Sequence, residues 1–444
     1  MSKLNQKLFE ISLFIAIFGS SIVGAKIANI SLNKVCLIPL ILFLWLLQLQ
    51  KKKYNVLRII NKKIFVWYGV TIFSCIVGLL RFNIGNNYLG YNSNLIFYLL
   101  QIILVYIPIF LILPNVCDSN YAYNTFKKII RITCRMHLVW GLTQFIAYNF
   151  FNLDINNLVL CQMLGGLGKN SWTMFIWDYG VPVMRITGIN SDGAFFGAIM
   201  LLGIIFENKF MKLFYIALVI ISLQRSALIG LAIIILYYSG YCLFKHKIKL
   251  KKIIRSIGYV LIAIIFFSFL YNNVEIVQNY VLKFINRFDF FSGNSNLSIS
   301  SSRHLLYIPY SLKMIFANGI NIFLTGIGPR SSGIIFSLNS EKVKKLMLDS
   351  YMFTTSWSIE CDFADILLGT GIFGFLTYYS LLFDLYKTYN LEIKTFIVML
   401  FFIGFMYGFS HLTLIQLTLI FVCYKRRGDA RHENVNYNSC LQKS

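Results

Sequence analysis

From Leu95 to Leu113 the chain reads "LIFYLLQIILVYIPIFLIL", without a single charge. A helix needs about 20 such residues to cross the hydrocarbon core of a bilayer. Inside lipid every peptide N–H and C=O has to be satisfied within the chain, so a run of this kind folds as a helix. The run "SIGYVLIAIIFFSFLYNN" from Ser256 repeats the pattern, and the 444 residues are 57% hydrophobic and only 13% charged. A soluble protein carries about twice that charge. The fold class that follows is an all-α polytopic membrane protein.

Reading the apolar runs in order gives twelve transmembrane helices, over 9–29, 33–50, 64–81, 95–113, 130–151, 193–206, 210–223, 226–243, 256–273, 363–385, 394–410 and 411–424. The net charge of +24 is concentrated beside these spans, in Lys51–Lys53 with Arg58, Lys62 and Lys63, in Lys245 to Arg255, and in Lys425, Arg426, Arg427 and Arg431. Such clusters fix orientation by the positive-inside rule. Both termini are then cytoplasmic, and two large loops, 152–192 and 274–362, are expected on the outer, periplasmic side. The whole chain reads as one integral membrane domain with a cytoplasmic tail over 425–444. The basic clusters also suit anionic membrane lipid. No groove-reading or aromatic RNA motif accompanies them, so a nucleic-acid partner is not expected. The nine cysteines show no metal-ligand spacing, and neither metal nor cofactor is expected. Cys161 and Cys361 both fall on the expected outer side, where a disulfide is chemically possible.

Chemistry-bearing residues gather toward the outer face. In "RITGINSDGAFFG", Arg185 and Gly188 precede a span, with Ser191 or Asp192 placed to cap its helix. Arg225 interrupts two apolar segments in "LVIISLQRSALIG". It suits either a snorkelling interfacial arginine or a functional charge facing a polar site. Arg303 and His304 open "RHLLYIPYSLKMIF", whose spacing predicts an amphipathic helix, and Arg330 closes "TGIGPR". Guanidinium groups at such places grip phosphate oxygens in bidentate fashion. In "ECDFADILLGTGIFG", Glu360, Asp362 and Asp365 stand at the head of a span. Asp362 and Asp365 share a helical face there, and Glu360 points elsewhere. These acids suit either a helix N-terminus or a general base. The glycines after them suit close helix packing. His137, inside the fifth span, reads as a core histidine.

The order of these elements, "RITGINSDGAFFG", "LQRSALIG", a large outer loop with "SSSRHLLYIPYSLKMIFANGINIFLTGIGPR", then "ECDFADILLGTGIFG", resembles the Wzy-type O-antigen polymerases of the O-antigen ligase/polymerase superfamily. The resemblance covers roughly residues 180–385. It implies an enzyme of the bacterial inner membrane that joins undecaprenyl-pyrophosphate-linked oligosaccharide repeat units at the periplasmic face, together with a chain-length regulator as partner. Residue by residue it implies Arg225 and Arg303 at the pyrophosphate, and Glu360 or Asp362 as the base. Arg185, Gly188, Arg330 and His304 would then line the substrate site. Ligases of the superfamily carry a His-Asn pair where this chain has Glu360-Cys361, which favours polymerase over ligase. A transporter or flippase of lipid-linked oligosaccharide is the remaining alternative.

Overall fold

Residues 1–27, 30–50, 62–81, 91–161, 173–176, 183–245, 268–269, 271–287, 307–316, 319–333, 361–405 and 407–425 are described in the computed structural model, and they are nearly all helical. The helices are α1 (Lys3–Ser21), α2 (Leu32–Gln50), α3 (Lys62–Arg81), α4 (Asn92–Val116), α5 (Ser119–Phe151), α6 (Gly193–Phe206) and α7 (Lys209–Ile221). They continue with α8 (Arg225–Lys245), α9 (Glu275–Arg287), α10 (307–316), α11 (Ile320–Thr325), α12 (Asp362–Thr388), α13 (Leu391–Ile403) and α14 (Thr413–Tyr424). Two short antiparallel pairs join Lys26–Ile27 to Ile30–Ser31 and Met174–Ile176 to Val183–Arg185.

Among the described residues, five helices are long and apolar enough to cross a membrane: α2, α3, α4, the first 18 residues of α8, and α12. They coincide with five of the twelve expected spans. Four other expected spans are shorter as helices, with 14, 13, 13 and 12 residues in α6, α7, α13 and α14. At 1.5 Å per residue these reach about 20 Å, short of the ~30 Å hydrocarbon core. Hydropathy averages over the places where they stop. Glu207 and Asn208 separate α6 from α7, and Gly404 ends α13. The expected first span ends at Ser21, before extended backbone. The fifth lies inside the 33-residue α5, which also carries Lys127, Lys128, Arg131 and Arg135. The span expected over 256–273, and most of the basic clusters, lie outside the described residues.

The chain forms two compact units. The first comprises Met1–Ser21, Leu32–Ile130 and Ile299–Ser444. Its core gathers Leu95 of α4, Tyr307, Met314 and Ile315 of α10, Ile322 of α11 and Leu367 and Leu368 of α12. The amphipathic helix expected from Arg303 onward is thus α10, and it packs its apolar face on this bundle. The segment "TGIGPR", expected in an outer loop, is also built into this core.

What fixes it is a meeting of two backbones. Ile327 N–H donates to the Leu368 carbonyl at 3.1 Å, and Gly328 N–H to the Gly369 carbonyl at 2.8 Å. The Ser74 hydroxyl of α3 lies 2.6 Å from the Thr325 carbonyl oxygen and 2.7 Å from that of Gly369. At this level α12 is broken: Gly371 adopts φ 67°, ψ −173°. A Cβ on Gly371 would strike the Leu324 carbonyl, and one on Gly326 the Gly369 carbonyl. The glycines therefore serve a helix break crossed by a second backbone, rather than the packing of two intact helices.

The second unit comprises Ile22–Ser31 and Arg131–Ser298. Arg131 Nε donates to the last carbonyl of α6, at Phe206, over 2.6 Å. Arg135 grips Glu207 with two bonds of 2.8 and 2.9 Å. The side chain of Glu207 is fully buried while that of Arg135 is half exposed. Burial works to raise the Glu207 carboxyl; the Arg135 guanidinium and the Asn208 N–H outweigh it and hold the group below its usual range.

Two predictions follow from these contacts. Gly371→Ala forces a Cβ into a left-handed residue facing a carbonyl, and is expected to destabilise the purified protein by about 3 kcal/mol. Gly69, on α3 with open space around it, is the control, with Gly69→Ala neutral or stabilising by up to about 1 kcal/mol. Thermal unfolding in detergent measures both, and equal melting temperatures would refute the crossing. A carboxyl depressed in the folded state stabilises above its unfolded pKa and loses that contribution as pH falls through its folded value. Glu207→Gln is thus expected to melt a few degrees below wild type at pH 7, with the gap closing below about pH 4.

Candidate functional site

In the second unit, the polar stretch before α6 is held by side chains from α5 and the turn after it. Gln144 Oε1 accepts from both Thr187 N–H and Gly188 N–H at 3.1 Å. Asn156 Nδ2 donates to Thr187 Oγ1 at 2.9 Å and to the Gly188 carbonyl at 3.2 Å, and Trp140 Nε1 fixes Asn156 Oδ1 at 2.8 Å. Asn190 Oδ1 accepts from Val23 N–H, and Ser191 N–H donates to the Val23 carbonyl. Gly188 takes φ 58° with the Phe196 ring where a Cβ would stand. His137 is completely buried nearby, as a core histidine. Asp192 is the N-cap of α6 and accepts from Ala194 N–H at 2.9 Å.

This scaffold places two arginines at one end of a helix packet. The Arg185 guanidinium lies against Gly193, the first residue of α6. A tight turn with Leu223 at φ 53° reverses the chain, and α8 begins at Arg225. Gly197 of α6 packs on Ala227 of α8, so α6 and α8 start side by side. Helix N-termini carry partial positive charge and bind phosphate-like anions. The Arg185 guanidinium at the start of α6 and Arg225 as the first residue of the adjacent α8 make this end of the packet basic.

In the first unit, Asp362 and Asp365 begin α12 on its inner face, each 2% exposed. Asp362 accepts from Phe409 N–H at 3.0 Å, Ser410 N–H at 2.9 Å and Ser410 Oγ at 2.5 Å. It clamps the turn between α13 and α14. That turn is held further by Gln416, whose Nε2 donates to the Ser410 carbonyl and whose Oε1 accepts from Tyr68. Asp365 faces different partners: the Ser332 hydroxyl donates to one oxygen, and His411 Nε2 lies 3.3 Å from the other. His411 Nδ1 is 2.6 Å from the Tyr98 hydroxyl. Arg330, exposed and at φ 59°, stands two residues before Ser332 and within electrostatic reach of Tyr98.

The structure therefore groups Arg185, Gly188 and Arg225 in one unit, and Arg330 with Asp362 in the other. Arg303, His304 and Glu360 lie outside the described residues. Cys361 is a buried free thiol, pushed up to about 12 by burial, so the disulfide with Cys161 is not made. It packs among Leu95, Ile315 and Leu367 instead. Tyr98, His411 and Ser332 were not singled out by sequence. Their one signal is polarity inside apolar stretches. No protein-family model matches the chain, and no curated protein matches it in sequence.

Asp362→Asn turns one acceptor oxygen into an NH2 group facing backbone N–H donors. The expected loss is about 2–3 kcal/mol, read as a lower melting temperature. A variant that melts with wild type would release Asp362 from this anchoring role and return it to candidacy as a base.

Proposed function

We propose that this chain is a Wzy-type polymerase that joins undecaprenyl-pyrophosphate-linked oligosaccharide repeat units into O-antigen at the periplasmic face of the inner membrane. The observation that carries this reading is the pairing of Arg185 and Arg225 at the adjacent N-termini of α6 and α8. An acceptor hydroxyl attacks the anomeric carbon of the growing glycan, and the departing pyrophosphate gains negative charge. Fixed guanidinium groups and helix N-termini stabilise that charge without a metal. Arg303 is assigned to the same task by the resemblance alone, and Glu360 remains the candidate base that the resemblance supplies. A chain-length regulator enters on the same ground.

A second reading, transport of the lipid-linked oligosaccharide, is favoured by the break in α12. Discontinuous membrane helices build substrate sites in carriers. The two readings separate in one experiment, a lipopolysaccharide gel from a deletion strain complemented with wild type, Arg225→Ala or Arg303→Ala. Wild type is expected to restore a ladder. Each variant is expected to leave core plus one repeat unit, with long chains reduced at least about 100-fold. A single ligated repeat unit shows that flipping and ligation still work. Core with no repeat unit would favour the transporter or the ligase.

A further inference from the structure

We propose that Lys34 and Arg330, both in the first unit, hold the phosphate of an anionic phospholipid at one end of α2 and α4; the assignment does not rest on the polymerase reading above. Lys34 is the third residue of α2, and its Nζ stands 5.5 Å from the centroid of the Phe97 ring, near the start of α4. Arg330 reaches the same place from the backbone crossing. Gly328 is pressed so closely on the Leu95 side chain that a Cβ would strike it. Two residues on, Arg330 is within electrostatic reach of Tyr98 and of Lys34. Residues 95–98 of α4 are thus the common floor beneath both cations.

Two like charges brought together repel, and an anion between them removes that repulsion. Among the described residues the ion pairs are made by Lys63, Lys127, Lys128, Arg135 and His411, and Lys34 and Arg330 take part in none. Asp365 also acts on Tyr98, but it is buried and turned to Ser332 and His411. Lys34 is half-buried and Arg330 exposed, so both cations are open to a headgroup. The bonds from Ile327 and Gly328 to the carbonyls of Leu368 and Gly369 anchor the chain just before Arg330, so the guanidinium emerges from a fixed stem. A guanidinium offers paired N–H donors to phosphate oxygens, and an ammonium adds a point charge.

The surface below the cations decides for a lipid over a soluble anion. α2 and α4 are each long and apolar enough to cross a membrane. They run in the same direction from this end, since Lys34 sits at Phe97 while Ile38–Gln50 pack against Ile107–Val116. Basic side chains near the ends of such helices reach the headgroup level. Ile38 and Leu42 follow Lys34 at helical spacing, and both are exposed, as are Phe97, Leu100 and Leu104 on α4. Cations above an exposed apolar tract match the headgroup and the chains of a phospholipid. Basic pockets between membrane helices bind anionic lipid in this way. A lone snorkelling lysine has no use for a second cation beside it.

The test uses the full chain, purified in detergent and stripped of lipid, with binding read as the rise in melting temperature on adding lipid. Phosphatidylglycerol is expected to raise it to saturation. Phosphatidylcholine, with the same phosphate and chains but no net charge, is expected to raise it much less. Lys34→Gln and Arg330→Gln are each expected to weaken the apparent affinity for phosphatidylglycerol about fivefold, the worth of one basic group at a lipid surface. Lys387, which also stands over a ring, that of Phe383, is the control, and Lys387→Gln is expected to bind as wild type does. Lys34→Arg keeps the charge and is expected to bind as tightly as wild type. Loss of binding in both Lys34 variants would mark a packing role and overturn the site. Equal shifts with the two phospholipids, or Gln variants that bind as wild type does, overturn it as well. Displacement of phosphatidylglycerol by inorganic phosphate would make this a soluble-anion site, and tighter binding of undecaprenyl phosphate a substrate site; either overturns the phospholipid assignment.

Discussion

A helix that breaks inside an apolar interior releases peptide groups that must find new partners, each unsatisfied one costing several kcal/mol. In the first unit those partners are another stretch of backbone. Residues 326–328 cross residues 368–371 so closely that Gly326 and Gly371 have no room for a side chain. The Ser74 hydroxyl reaches the carbonyl oxygens left at the crossing. Much of that unit depends on this contact. It fixes the chain leading to Arg330 and Ser332, and it fixes the first half of α12, where Asp362 and Asp365 stand.

The second unit meets the same constraint with side chains. Amide side chains of Gln144 and Asn156 take up N–H and C=O groups of the turn before α6, and Asn190 Oδ1 ties the turn to the Val23 N–H. An amide offers donor and acceptor together, so three residues suffice to hold an irregular stretch. The consequence is a rigid approach to α6. Arg185 is thereby set against the helix start rather than left on a mobile loop.

The helical class and the five long apolar helices are legible in the sequence because hydrophobic runs have few ways to satisfy their backbone. Asp192 as a cap and the shared face of Asp362 and Asp365 are legible too, since both follow from helix geometry and near neighbours. The short helices are not. Their ends at Glu207 and Gly404 are single-residue events inside runs that remain apolar on average. The break at Gly371 is hidden for another reason: glycine marks helix packing and helix breaking alike. The Tyr98–His411 contact joins residues 313 positions apart, and no local pattern reports such a pairing.

The two buried carboxylates at the head of α12 illustrate how surroundings divide labour between like residues. Asp362 is met by the Phe409 and Ser410 N–H groups and by the Ser410 hydroxyl, and together these set a turn. Its bonds are most valuable when nothing changes. Asp365 is met by the Ser332 hydroxyl on one oxygen, and the His411 ring nitrogen Nε2 lies 3.3 Å from the other. The low dielectric around the pair strengthens each of these interactions. Asp362 thus holds the turn of residues 409–410, while Asp365, one helical turn on, faces Ser332 and the ring of His411.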